Sequence, residues 1–414
     1  MSNIQQPIIA GIDVGTTKVA VVIGHLNEDK ELNIVGVGQA ANQGVKQGHI
    51  VNIDMVSEAI KKAKEEAEFM AGVNIETAYI SVGGPHINSF SSSGMVAIKN
   101  NEVNAQDVEK VIETARAVAI PSDIEVLHVI PNEFKIDSQG GIIDPIGMSG
   151  VRLETDVHII TGQVAVIQNY IKCVEKAGIK VKGTVLQPLA TAMSIVTEDE
   201  KNLGVGVVDM GGGACHIIAF NQGGVIKTSM IPIGGANVTQ DISMGLKTTQ
   251  ANAESIKKKY ACALPELVEE GESIEVESVG GQKQRIVSKK ELCQIVEARV
   301  EETLNIIKDT IDKLDLNDTL GSGLVISGGA SQLTGVVEMC EFAFELPVRL
   351  GTPRNISGLT DVVKLPQFAT AVGILFYIIK EEKLENYQPS SREMIAEQTL
   401  GMFDKVKNYF NEVF

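Results

Sequence analysis

Apolar residues at the start of the chain fall in short runs rather than at helical spacing. "IIAGIDVG", "KVAVVIG" and "ELNIVGVGQ" are rich in Ile and Val and separated by turns, so residues 7 to 39 are expected to form strands. "DMVSEAIKKAKEEAEFMAG" then changes to a helical period, with Gly72 as the stop, and the strand "TAYISVGG" follows. The texture shifts at Pro85. A polar, Ser-rich stretch, a short capped helix "NAQDVEKVIETARAVA" and the strand-like "EVLHVIPNEFKID" read as a subdomain inserted over residues 85 to 161. Helix and strand resume with "QVAVIQNYIKCVEKAG" and "IKVKGTVLQP".

The stretch "GVGVVDMGGGACHIIAF" repeats the design of "IIAGIDVGTTKVAVVIG": an apolar strand ending in Asp, a Gly/Thr-rich turn, and a returning apolar strand. Asp13 and Asp209 hold the same place in the two copies, which predicts two related lobes. Residues 235 to 314 carry helices interrupted by the polar hairpin "ESIEVESVGGQKQRIV", and Ser288 with Glu291 suggests a capping box on the long helix that follows. The strand "GLVISGG", a helix from about 330 to 344 and the apolar "FATAVGILFYIIK" are expected to complete the second lobe. The expected division is 1–84 with 162–200 for the first lobe, 201–234 with 301–380 for the second, and 235–300 for a smaller subdomain of the second. Residues 381–398 have linker composition, and 399–414 read as an amphipathic helix.

Composition narrows the function. A net charge of −17 over 414 residues repels phosphate backbones, so nucleic acid is not an expected partner. Five scattered cysteines without a CxxC pair suit reduced, buried thiols, and no export signal is expected from the first residues. The six histidines lack metal-ligand spacing and read as structural or surface residues.

Phosphate groups are held by backbone N–H groups where Gly and small hydroxyl residues let the main chain come close. Asp13, Gly15, Thr16, Thr17 and Lys18 form one such turn, and Asp209, Gly211, Gly212 and Gly213 the other. Each Asp adds a carboxylate able to hold Mg²⁺. Either turn alone is as well explained by an ordinary hairpin; the pair is not. No GxxxxGK[ST] occurs, and no GxGxxG joins a strand to a helix. Gly234–Gly235 and Gly328–Gly329–Ala330 each follow a strand, where bare backbone permits either close approach of a base and ribose or tight packing. Gln187, before Pro188 at a helix start, either orients water as in phosphoryl-transfer sites or caps the helix.

These motifs resemble the actin-like superfamily, which takes in heat-shock chaperones and sugar kinases. "DVGTTK" is similar to its first phosphate motif, "VVDMGGG" to its second, "LQPLATA" to its connecting helix and "GLVISGGAS" to its adenosine motif. Within it, the insert with "GIIDPIGMSGVRLE", the phrase "NISGLTD" and the terminal amphipathic segment resemble the FtsA family of bacterial cell-division proteins. The resemblance implies an α/β, two-lobed fold with duplicated ribonuclease-H-like lobes. It also implies bound ATP and Mg²⁺, actin-like filaments, binding of the FtsZ tail, contacts of the insert with later division proteins, and location at the inner membrane face of the division site. On this basis Asp13 and Asp209 serve Mg²⁺, and Gly15, Thr16, Thr17, Lys18, Gly211, Gly212 and Gly213 serve phosphates. Gln187 sits near the γ-phosphate, with Asp209 beside it in the catalytic set. Gly234, Gly235, Glu254, Lys257, Gly328, Gly329 and Ala330 line ribose and adenine. Lys289, Lys290 and Arg299 become candidates for the acidic FtsZ tail, where the residues alone suggest a solvated basic face.

Two other readings share the superfamily: a small-molecule kinase, for which no acceptor-facing base stands out, and a pilus-type adaptor that docks a membrane partner. The ending "TLGMFDKVKNYFNEVF" discriminates. Phe403, Val406, Phe410 and Val413 recur at helical spacing, widened by Met402, Tyr409 and Phe414, as a wedge for membrane lipid requires. A final helix docked on the protein's own core fits the same pattern.

Overall fold

The computed structural model describes residues 7–277, 284–382 and 384. The linker and the terminal segment, including Met402, Phe403, Val406, Tyr409, Phe410, Val413 and Phe414, lie outside the described residues.

The first lobe begins with an antiparallel meander of β1 (Ile9–Val14), β2 (Lys18–Leu26) and β3 (Leu32–Ala41). A small hairpin of β4 (Val45–Lys46) and β5 (His49–Ile50) leads into α1 (Ile53–Ala71). Asn52 caps α1 by accepting from the Met55 amide, and Gly72 ends it in the left-handed region. β6 (Thr77–Val82) then pairs in parallel with β1. The insert follows: β7 (Ile87–Ala97), α2 (Ala105–Arg116) with an Asn104–Asp107 capping box, β8 (Ile124–Ile136), β9 (Gln139–Ile142) and β10 (Arg152–Gln163). Its four strands form their own sheet, in the order β7-β10-β8-β9. The chain re-enters the lobe through α3 (Val164–Lys176), β11 (Lys180–Leu186) and α4 (Gln187–Ile195).

After α5 (Glu198–Leu203), the second lobe repeats the plan with β12 (Val205–Met210), β13 (Cys215–Asn221) and β14 (Gly224–Ile231). α6 (Gly235–Gly245), α7 (Gln250–Tyr260), the hairpin β15 (Ser273–Val276) with β16 (Arg285–Ser288), and α8 (Lys289–Lys313) build its outer layer. β17 (Leu324–Ser327), α9 (Val336–Phe344) and β18 (Val348–Leu350) complete its sheet. The two main sheets run β11-β6-β1-β2-β3-β19 and β14-β13-β12-β17-β18, where β19 is Ile356–Gly358. Each sheet joins an antiparallel three-strand meander to two parallel strands beside its first strand, and the first sheet adds β19 in parallel at the other edge. Two copies of one unit, related by chain duplication, account for this match.

Three sequence expectations are corrected. The apolar segment assigned to the second lobe forms α11 (Ala369–Glu381), beyond a four-residue α10 (Thr360–Val363), and packs on α4, β1, β2 and β6 of the first. β19 likewise pairs with β3, so the expected run 301–380 is split between lobes. The cause is a helix apolar on nearly every side, buried between elements of both lobes, whose pattern does not say which sheet it joins. α9 starts at Val336, not 330, because Gly335 takes φ +82° and Thr334 bridges to Cys262. Ser288 stands at the α8 N-cap without a capping hydrogen bond: it pairs with Ser273 in the hairpin, and the Lys289 amide donates to the Glu272 carbonyl instead.

Buried residues of α4, α11, β12 and β13 share one core with the first sheet, so the lobes meet along α4 and α11 rather than through a linker alone.

Candidate nucleotide site between the lobes

β1 and β12 end in turns closed the same way. The Gly15 amide donates to the Lys18 carbonyl and the Gly211 amide to the Ala214 carbonyl, both at 2.9 Å. Asp13 stands opposite Ala20 in the ladder and Asp209 opposite His216, the same register in both lobes. The turns face each other closely: a Cβ on Gly212 would come 2.6 Å from the Thr17 side chain, and one on Gly213 would come 2.7 Å from Thr16. Only glycine lets the second turn lie against the first.

Both carboxylates are buried, Asp13 at 7% and Asp209 at 3% exposure. Asp13 accepts from Ser81 Oγ at 2.7 Å; Asp209 Oδ2 accepts from Gln187 Nε2 and Thr191 Oγ1, each at 3.3 Å. Loss of hydration pushes Asp13 up to about 6, and the Asp209 charge adds to that shift; burial raises Asp209 as well. Lys18 is lowered to about 8 by burial, although both aspartates oppose the change. Its Nζ donates to the Gln367 carbonyl at 2.6 Å and lies 4.2 Å from the Phe368 ring centre. Two buried carboxylates facing one lysine make a site whose charge favours a cation.

The start of α6 is bonded to the second turn. The Gly235 and Ala236 amides at the start of α6 donate to the Gly211 and Gly212 carbonyls at 2.9 and 2.7 Å. A Cβ on Gly234 would meet the Gly211 carbonyl oxygen at 2.6 Å. Lys257 Nζ donates to Gly235 O at 3.0 Å and Thr239 Oγ1 at 2.8 Å, and pairs with Glu254 at 2.7 Å. A Cβ on Gly235 would lie 3.3 Å from the Ala330 side chain, so these residues converge on one wall. Gly328 takes φ +86° beside Asp209, while an added Cβ on Gly329 meets nothing within 4 Å.

Lys289, Lys290 and Arg299 lie elsewhere, on α8. Lys289 pairs with Glu272 at 2.6 Å, Arg299 is held by Asp241 and Glu302, and Lys290 is exposed.

The sequence reading missed His216 and Gly83. A Cβ on Gly83 would come 2.8 Å from Gln187 Oε1 and 3.1 Å from His216 Nε2, so amide and imidazole meet there. Both ring nitrogens of His216 are buried without a hydrogen-bond partner, and burial lowers its pKa to about 4. A cavity of about 30 Å³ lined by Gly83, Leu186, Pro188 and His216 adjoins them, enough for one water. The duplication held the signal: His216 sits where the first copy has Ala20.

The family profile "Cell division protein FtsA" matches residues 206–373, and "SHS2 domain inserted in FTSA" matches 84–161. Cell division protein FtsA of Pseudomonas aeruginosa is 43% identical over 383 residues, covering 92% of this chain and 92% of its own. The chain belongs to the FtsA family. FtsA of Escherichia coli is 39% identical, covering 89% of this chain and 90% of its own, and that of Bacillus subtilis is 36% identical over 91% and 85%. Among solved structures, the "PilM-PilN type IV pilus biogenesis complex" matches with a TM-score of 0.63 at 11% identity, covering 90% of this chain and 99% of that one. MreB5 of Spiroplasma citri bound to ADP matches with a TM-score of 0.52 at 12% identity, over 92% and 99%. The fold is therefore the two-lobed actin-like one, carrying the insert of FtsA, and the role belongs to cell division. Among the described residues no helix is long and apolar enough to cross a membrane.

Proposed function

We propose that this chain binds ATP with Mg²⁺ between its facing turns and polymerises into actin-like filaments on the inner face of the cytoplasmic membrane. There it ties the FtsZ ring to the membrane and helps recruit later division proteins. The observation that carries this reading is the approach of Gly212 to Thr17 and Gly213 to Thr16, with Asp13 and Asp209 buried behind them.

The residues fit the groups. Asp13 and Asp209 would hold Mg²⁺, which neutralises phosphate charge when bound. Gly15, Thr16, Thr17, Lys18 and Gly211 to Gly213 would hold phosphates. Gly234, Gly235, Glu254, Lys257 and Gly328 to Ala330 would flank the nucleoside. That MreB5 carries ADP in the same fold supports the assignment. Gln187 and His216 can orient a water but are not strong bases, since Gln187 does not titrate and His216 is held neutral at pH 7, so turnover is slow. The FtsZ tail would reach the small subdomain near Lys289, Lys290 and Arg299, exchanging for the carboxylates that Lys289 and Arg299 now face. The insert would carry contacts with later division proteins.

Residues 399–414 would lay Met402, Phe403, Val406, Tyr409, Phe410, Val413 and Phe414 into the acyl boundary. Lys405 and Lys407 are offset by Asp404 and Glu412, so insertion rests on apolar burial and one anchor is weak; filaments multiply it. Liposome co-sedimentation of the full chain, with and without ATP and an FtsZ tail peptide, tests the reading. ATP should increase pelleting, and deletion of 399–414 should abolish it; undiminished pelleting of the deletion would rule out direct anchoring.

A further inference from the structure

We propose that His128 of the insert is a positioning residue for Gln187, so that the insert forms part of the nucleotide machinery rather than a module carried beside it. This rests on reading Gln187 as the amide next to the γ-phosphate. β11 is the edge strand of the first sheet, and its last residue, Leu186, is the N-cap of α4. An apolar side chain at that position cannot cap the helix. His128, on β8, meets the strand end from the insert instead, and its Nε2 accepts the Leu186 amide at 2.9 Å. The anchored amide stands one residue before the side chain whose Nε2 donates to Asp209 Oδ2 at 3.3 Å.

The surroundings of His128 hold its ring in place. The residue is buried, and accepting at Nε2 requires the neutral ring with its proton on Nδ1. Burial keeps it in that form by lowering its pKa to about 4. The rings of His128 and Tyr377 of α11 meet edge to face, with centres 5.5 Å apart at 78°, and Tyr79 of β6 packs on Tyr377 at 6.2 Å. The insert is seated on the second lobe as well. Thr228 Oγ1 of β14 donates to Ser89 Oγ of β7 at 2.8 Å, and a Cβ on Gly224 would come 2.7 Å from Asn132 Oδ1 of β8. β8 thus touches both lobes, and a displacement of it relative to either is passed to the Leu186 amide.

Misplacing Gln187 costs rate more than affinity, because Gln187 would aim a water while the two facing turns would hold the phosphates. Removing the acceptor leaves the Leu186 amide unpaired beside the insert and loosens the first turn of α4. A partner that displaces β8 would alter turnover by the same route, without touching the nucleotide.

The test uses the full chain, with single-turnover hydrolysis of Mg²⁺–ATP, equilibrium binding of Mg²⁺–ATP, and amide hydrogen exchange of the peptide covering Leu186 and Gln187. His128→Phe keeps a ring against Tyr377 without the acceptor; it should slow turnover about 5- to 10-fold while changing affinity less than about 2-fold. His128→Met makes the same comparison should His128→Phe misfold. His128→Gln returns an acceptor at the reach of Nε2 and should recover the rate to within about 3-fold of wild type. In a Gln187→Ala background His128→Phe should cost nothing further, which a merely structural role would not give. Exchange should quicken in His128→Phe and return toward wild type in His128→Gln. Unchanged exchange or rate in the folded acceptor-less variant, a loss of affinity as large as the loss of rate, or an additive loss on Gln187→Ala would overturn the proposal. If exchange responds as described while wild type hydrolyses no ATP, the joint stands and the reading of Gln187 fails.

Discussion

Replacing Asp13 by Asn should stabilise the nucleotide-free protein while removing Mg²⁺–ATP binding. Asn keeps the shape and can still accept from Ser81 Oγ, which lies 2.7 Å from the present carboxylate. The folded-state pKa of Asp13 is raised from 3.8 to about 6, so the folded protein holds this proton more tightly than the unfolded chain does. Its contribution to stability is fully present below pH 3.8 and is lost as pH rises through 6. Above pH 7 the cost of the buried charge is about 3 kcal/mol, and at pH 5 about half that. That figure already contains the attraction to Lys18 and the repulsion from Asp209, so a net gain of about 2 to 3 kcal/mol is expected at pH 7.5. Urea unfolding of wild type and Asp13→Asn, in EDTA without nucleotide, reads this difference at pH 7.5 and 5.0. The gap should narrow on acidification, and Mg²⁺–ATP should raise the midpoint of wild type only. A variant less stable than wild type at pH 7.5, or equally protected by Mg²⁺–ATP, would refute the reasoning.

Two further outcomes follow from packing and burial. Gly373→Ala places a methyl 1.7 Å from the Ala190 carbonyl oxygen where α11 crosses α4, and should cost about 1 to 3 kcal/mol or more, seen as a lower urea midpoint at unchanged slope. His158 lies buried without a partner and is lowered from 6.5 to about 4 by burial, with Lys227 adding to the shift; it therefore supports the fold above pH 6.5 and less as pH falls toward 4. His158→Phe should reduce the stability lost between pH 7.5 and 5.0 by about 2 kcal/mol. An unchanged pH dependence would contradict that account.

The duplicated strand–turn–strand unit was legible because two buried strands ending in Asp carry a dense local pattern, and the same register recurs around Asp13 and Asp209. Other features depend on distance along the chain. β19 pairs with β3 across more than three hundred residues of sequence, and only three residues take part, too few to carry an alternation. α11 is apolar enough for either lobe, and the small Gly11 and Gly373 surfaces that receive it lie in other elements or on its own face. His216 has no histidine partner at metal-ligand spacing, and its place opposite Asp209 follows only from the repeat. The expected Ser288 cap failed for a local reason: strand pairing had already placed that residue.

The central claim, a nucleotide held between the two facing turns, is tested most directly by calorimetric titration of Mg²⁺–ATP into wild type and Gly212→Val. The added side chain would begin 2.6 Å from Thr17, so the turns must part where they should close on phosphate. Wild type should show one site, lost in EDTA, with affinity at least about 10-fold weaker in the variant, roughly 1.4 kcal/mol. Equal binding by a folded Gly212→Val variant, or binding by wild type unaffected by EDTA, would contradict the account.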